Sequence, residues 1–378
     1  MPSKIYKYFK SKLIFGKYSI KYLIAEGTFG EVYLGTNKIN GKNYALKILE
    51  TNKDDLLLKD ESLILTYLKG PYVPSVISFG VSGKYSILVE NLLGKSMKDI
   101  WLEKKKKLNL NDTCTFAIQA ISCLEYVHSK DYIHRDIKHS NFLIGNPDTS
   151  QLYLIDFGNA KKYRSTKTGK HIKLIKSNII FGPLIFLSFN ALKGMEQTRR
   201  DDLESLGYVI IYLYMGSLLW SGLKFKDIIQ GIIKTKEIRE KLSIENICKG
   251  MPKEMNNYMN YVKNLKYEEQ PDYEYLRSLF MNILKKIGVN EPLFSWADRN
   301  ISQKRREPSN KRNKSIKSIY NNLLKKNFNN ELSGTNLKLH LNNNEKQMNN
   351  DKNTDVIIKS KEINNKSLTE NNLISILN

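Results

Sequence analysis

The stretch YIHRDIKHSNFLIG (Tyr132–Gly145) places His134, Arg135, Asp136, Lys138 and Asn141 between two apolar runs. Upstream, CLEYVHSKDYI has the spacing of a helix end; downstream, FLIG reads as a short strand. The polar group therefore sits on a loop held at both ends by buried residues, a firm place to mount chemistry. Most polar octets are merely solvated turns. The two readings separate on whether partner residues occur elsewhere in the chain, in a suitable order and spacing.

Such partners occur. IAEGTFGEVYLG is a Gly-bearing turn between two strands, in which Gly27 and Gly30 let backbone amides close over phosphates; alone it is no more than a hairpin. In YALKI, Lys47 sits mid-strand among apolar neighbours and must either snorkel or find an anion. Glu61 in LLKDESLIL is the candidate carboxylate to hold it toward a nucleotide's α- and β-phosphates, with a surface ion pair as the plain alternative. LYLIDFGNA ends a strand with Asp156, Phe157 and Gly158, so that a carboxylate leaving a buried strand reaches a phosphate-bridging Mg²⁺. In that frame Asp136 accepts or orients the proton of a substrate hydroxyl, Lys138 neutralises the transferring γ-phosphate, and Asn141 supplies an oxygen to a second Mg²⁺. Each element is common; Gly loop, Lys, Glu, HRDxKxxN and DFG in this order are not.

The 378 residues, 41% hydrophobic, suffice for one large or two moderate domains with a real core. The densest apolar run, LGYVIIYLYMGSLLW, is short and dotted with Gly and Ser, and reads as a buried helix rather than a membrane span. The basic amino terminus has no signal-peptide pattern, so an intracellular protein of cytoplasm and/or nucleus is expected. Cys114, Cys123 and Cys248 are odd in number and lack CxxC spacing, which argues for core packing against a disulfide or zinc framework. The net charge of +23 fits anionic partners, or equally a Lys- and Asn-inflating coding bias.

Strand-like alternation (YSIKYLIAEG, GEVYLGTN, KNYALKILE, then VISFGVSGKYSILVENLL after a helical DDLLLKDESLILTYLKG) gives way near residue 96 to helical periods. The fold expected is α+β and bilobal: residues 1–17 an extension, a β-rich lobe over about 18–93, and a mainly helical lobe over about 94–297, with a ligand cleft between them. Residues 298–378, rich in Asn and Lys with few aromatics, read as a disordered tail whose KRREPSNKRNK is either a nuclear-localisation patch or a solvated charge run.

The chain resembles the eukaryotic protein kinases, and within them the casein kinase I family, over residues from about 18 to 297. The resemblance rests on EYVHSKDYIHRDIK, LIDFGNAKKYR, EQTRRDDLESLGYVIIYLYMGSLLWSGLK and PDYEYLRSLF, with SFN at Ser188–Asn190 where most protein kinases carry APE. The vaccinia-related kinases are similar in outline but match less well at the DFG and RRDDLESLGY segments. The resemblance implies a monomeric Ser/Thr kinase using ATP and Mg²⁺ on acidic or phosphorylated protein substrates, often without activation-loop phosphorylation. It places Ile24, Gly27, Gly30, Val32, Lys47, Glu61, Asn91 and Leu93 around the nucleotide, Asp136 and Lys138 at the transferred phosphate, and Asn141 and Asp156 at the metal. Asp202 matches the residue that braces the HRD backbone, and Arg199 and Arg200 are expected to pair with nearby acids.

Several positions depart from that pattern. The first Gly of the loop is Ala25, and Glu90 stands at the back of the adenine pocket where the family has an apolar residue. A carboxylate there must be paired, protonated or turned away. Where relatives read GTARYAS, this chain reads GPLIFLS: Pro183 replaces the Thr and Ile185 the Arg, while Asn178 and Gly231 replace two Lys of the family's anion site. Lys173, Lys176 and Lys234 are candidate substitutes for it. The apolar IIFGPLIFL is expected to pack as core rather than face a partner. Two alternatives to an active kinase follow: a pseudokinase scaffold, suggested by Pro183 and Glu90, and a nucleic-acid-binding protein, for which no aromatic–basic or zinc-finger motif is present.

Overall fold

The computed structural model describes residues 3–27, 30–50, 57–176 and 179–297, with the backbone of 358–359. Asn178 and the expectations for the tail, including KRREPSNKRNK, lie outside the described residues.

The first lobe contains α1 (Lys4–Phe9), β1 (Tyr18–Gly27), β2 (Gly30–Asn37), β3 (Asn43–Glu50), α2 (Leu57–Tyr67), β4 (Val76–Ser82) and β5 (Tyr85–Asn91). The five strands form one antiparallel sheet in the order β1-β2-β3-β5-β4. Because side chains alternate across a strand, register sorts the residues onto two faces. The row Tyr33–Leu46–Val89 lies on one, in a cluster with Ile48, Ile87, Ile14, Ile5 and Phe9. The rows Val32–Lys47–Leu88 and Leu34–Ala45–Glu90 lie on the other.

Part of the stretch ahead of residue 18 thus folds onto the sheet. Ser3 caps α1 by accepting from the Tyr6 N–H at 3.1 Å, and donates its own hydroxyl to Glu31 Oε2 at 2.6 Å. Ile5 and Phe9, four apart on one helix face, bury the apolar side.

The second lobe is mainly helical, with α3 (Met97–Glu103), α4 (Leu110–Ser129), α5 (Phe189–Leu192), α6 (Arg199–Met215), α7 (Ile228–Glu240), α8 (Ile244–Ile247), α9 (Lys253–Asn264) and α10 (Tyr273–Lys286). Short strands thread it: β6 (Tyr132–Ile133) pairs with β9 (Lys161–Lys162), and β7 (Phe142–Ile144) with β8 (Leu152–Leu154). β10 (Ile180–Phe181) runs parallel to β11 (Ile358–Lys359). This is the bilobal α+β arrangement.

α6 carries LGYVIIY and is buried almost all round, which is why the run lacks a polar face. A Cβ at Gly207 would meet Met259 Sδ at 2.4 Å, so the glycine sets how closely α9 approaches α6. Among the described residues no helix is long and apolar enough to cross a membrane. Cys114, Cys123 and Cys248 are free thiols within the core.

Candidate active site

β7 and β8 form a short hairpin that delivers the two chemical segments side by side. The Ile155 N–H, following β8, donates to the Asn141 carbonyl at 2.9 Å, which ties the DFG strand to the end of the HRD loop. Within that loop the Lys138 Nζ donates to Asp136 Oδ2 at 3.0 Å, and Asn141 Nδ2 donates to Asp136 Oδ2 at 3.1 Å and to its carbonyl at 2.9 Å. Asp136 and Asn141 are both buried. The opening stretch thus converges on one carboxylate.

A buried carboxylate on α6 sets the loop's path. Asp202 accepts from the backbone N–H of His134 at 2.7 Å and of Arg135 at 2.9 Å, and bonds His128 Nε2 at 2.9 Å. Arg135 adopts φ +63°, left-handed backbone that a non-glycine residue occupies only when its surroundings over-determine it. Burial acts to raise the Asp202 pKa, but the hydrogen bond and charge of His128 outweigh it and hold the carboxyl below its ordinary value. His128 in turn bonds the Tyr273 hydroxyl at 2.7 Å, extending the brace to α10. The sequence marked Asp202 but not His128, which carries no local signal beyond its place at the end of α4.

Across the cleft, Lys47 on β3 donates to Glu61 Oε2 of α2 at 2.6 Å and to Asp156 Oδ1 at 3.1 Å. Glu61 also accepts the Phe157 N–H at 3.2 Å, so α2 grips the DFG segment directly. Asp156 has φ +70° and Phe157 is wholly buried, its ring 4.9 Å from that of His134. Lys47, Glu61 and Asp156 therefore form one charge cluster, with Asp136, Lys138 and Asn141 as a second linked to it through Asn141.

Gly27 of β1 pairs with Gly30 of β2. A Cβ at Gly30, where φ is +100°, would meet the Ile48 carbonyl oxygen at 2.2 Å, so only glycine fits. Val32 is half-buried opposite Lys47, whereas Ile24 is 47% exposed on β1. Asn91 ends β5 and fixes the connection to the helical lobe, its Oδ1 accepting the Ser75 N–H at 2.5 Å; Leu93 follows it, half-buried.

Glu90 shares a face with Lys47 and so points inward. Its Oε1 is buried and finds no hydrogen-bond partner among the described residues. Burial, helped by the nearby Glu61 charge and opposed by Lys47, raises its pKa to about 8. Of the options the sequence left, the protonated acid holds at neutral pH.

The IIFGPLIFL segment packs inward, as expected. Ile180 and Leu187 are buried with Ala191 and Leu192, and Leu184 joins them. Pro183 accepts the Phe186 and Leu187 N–H groups at 2.9 and 3.0 Å, making a tight turn with its backbone where its side chain offers nothing. A Cβ at Gly231 would meet Leu184 at 3.0 Å and Phe225 at 3.1 Å, so hydrocarbon fills that position. Ile185 packs against the main core, and Lys234 donates to the Lys224 carbonyl at 3.1 Å. The Arg135 guanidinium lies over the Phe181 ring at 3.9 Å.

One expectation requires correction. Arg199 does not pair with an acid: its guanidinium donates to Gln270 Oε1, to the Glu268 carbonyl at 2.7 Å and to the Tyr163 hydroxyl at 3.3 Å. Arg200 does meet an acid as expected, with Asp201 Oδ2 at 4.0 Å, and donates to the Leu265 carbonyl at 2.8 Å.

Hard divalent cations take oxygen ligands. The Asp156 carboxylate fits, and so does the Asn141 amide oxygen, because the Asn141 nitrogen is spent on Asp136. Among the described residues no group of three or more His, Cys, Asp and Glu gathers, so a cation here would draw its remaining oxygens from phosphate and water. The family model for the protein kinase domain matches residues 18–341.

Proposed function

The chain belongs to the protein kinase domain family, and from that premise we propose that it is a Ser/Thr kinase of casein kinase I type, transferring the γ-phosphate of ATP to hydroxyls of acidic protein substrates. What carries the reading is the convergence of six side chains in two linked clusters, Lys47–Glu61–Asp156 and Asp136–Lys138–Asn141.

Lys47, held by Glu61, aims its ammonium at the α- and β-phosphates. Asp136 accepts or orients the substrate hydroxyl proton; Lys138, already 3.0 Å from that carboxylate, offsets charge on the transferring group. Mg²⁺ bound by Asp156 and Asn141 would neutralise phosphate charge. The backbone of Asn91 and Leu93 would hold the adenine, with Ile24, Gly27, Gly30 and Val32 contributing to the nucleotide site. The apolar packing of Ile185 and around Gly231 supports little dependence on a priming phosphate. The working form is a monomer in cytoplasm and/or nucleus, without a nucleic-acid or membrane partner.

The unpartnered Glu90 favours a second reading, a kinase-fold scaffold without phosphotransfer. Radiolabelled phosphate transfer to casein, with Asp136→Asn as control, decides between them. Activity above a control reduced by about 10²- to 10⁴-fold is expected; label no greater than the control leaves the scaffold.

A further inference from the structure

Two arginines of the helical lobe are equally buried, each 4% exposed, yet differently compensated. Arg239 meets the Glu204 carboxylate at 3.1 Å, besides the Tyr208 hydroxyl and the Leu187 carbonyl at 2.6 Å. Arg199 has neutral acceptors only, no carboxylate within 4.0 Å among the described residues, and an Nε without a partner. A buried cation without a counter-charge is costly unless an anion completes it.

Arg199 borders a cavity of about 420 Å³, which is lined also by Arg164, Gly169, Lys170, His171 and Glu268. Arg164 is already matched by Asp131, and the Glu268 carboxylate opposes an anion. Arg199 and the exposed Lys170 remain as the cations of the lining without an acidic partner among the described residues. His171 stands between them, its Nε2 2.9 Å from the Thr198 hydroxyl. The cavity is separate from the clusters that handle the nucleotide, and does not include Ile185 or Gly231.

We propose that this cavity is a second anion site, in which Arg199 and Lys170 take a phosphoryl or sulfuryl group and so pin the 164–171 loop to the start of α6. Three residues beyond Arg199 on α6, Asp202 braces the HRD loop, so the bound anion would stiffen the support of Asp136. The anion is either free or carried on a phosphorylated peptide.

Calorimetric titration of the full chain tests this, with inorganic phosphate, sulfate and a phosphoserine peptide beside its unphosphorylated twin, at constant ionic strength set with chloride. The background variant Lys47→Ala weakens phosphate binding in the nucleotide cleft, so the result stands whether or not the protein transfers phosphate. Stoichiometric binding is expected, weakened about tenfold by Lys170→Glu, an exposed position that leaves folding intact, and similarly by Arg199→Gln. Tighter binding of the phosphopeptide than of free phosphate identifies a peptide-borne group; equal binding identifies the free ion. Heats no greater than the chloride control, or binding unchanged by Lys170→Glu, overturn the proposal.

Discussion

Two rows on the same face of the sheet treat charge differently. In the row Val32–Lys47–Leu88, the ammonium has two carboxylates within 3.1 Å. Two residues further along, in the row Leu34–Ala45–Glu90, the acid has a buried oxygen with no partner among the described residues and stays protonated at neutral pH. The lesson is that burial is tolerated in two ways, by pairing the charge or by giving it up. Where the chemistry needs charge at neutral pH the chain pairs it, and at the base end of the cleft it does not.

The pairing half of the comparison is most exposed at Asp202. Asp202→Ala strands two backbone N–H groups and His128, and should cost about 3–5 kcal/mol in urea denaturation. A loss below about 1 kcal/mol would mean that the loop holds its own path. The carboxyl's folded pKa is depressed, so its stabilisation is present above the unfolded pKa and fades as pH falls through the folded value. The gap between wild type and Asp202→Asn should therefore close in acid.

Glu90 tests the other half. Its folded pKa of about 8 lies above the ordinary 4.5. Between those values the folded chain holds a proton that the unfolded chain releases, so this group makes stability fall as pH rises across that window. Glu90→Met should remove the slope and gain most near pH 8. In wild type, ionisation adds negative charge beside Lys47, and affinity for a non-hydrolysable ATP analogue should drop about fivefold from pH 7 to 9. Equal pH profiles for wild type and Glu90→Gln would contradict the assignment.

Smaller effects sharpen the picture around the activation segment. Phe181→Ala removes the ring beneath Arg135 and should cost about 1 kcal/mol by thermal denaturation. Smallest of all is priming: a phosphoserine three residues upstream of the target should leave kcat/KM close to that of an acidic peptide. Gly231→Lys should not restore priming, because Leu184 and Phe225 already occupy the space. A large gain from the primed peptide would show that another cation has taken over the role.

Much of this was legible in the chain itself. β1 and β2 run over the residues that the sequence marked as strands, although of β1 only Tyr18 and Ile20 are buried. Asp136, Lys138 and Asn141 stand close in sequence, so a short loop alone brings them together. Lys47, Glu61 and Asp156 do not, and only order and residue type suggested that they meet. Phe181 under Arg135, and His128 between Asp202 and Tyr273, left no trace in the sequence, because each depends on elements joined only by packing.

The sequence by itself determined the strand-rich and helix-rich regions, the polar loop and the residue types proposed to handle a nucleotide, because local periodicity and residue type are properties of short segments. Only the tertiary structure decided the direction of Glu90, the neutral company of Arg199 and the docking of α1 on the sheet. Those outcomes follow from strand register and from contacts between residues remote in the chain, where one residue's shift turns a side chain from the core to the cleft.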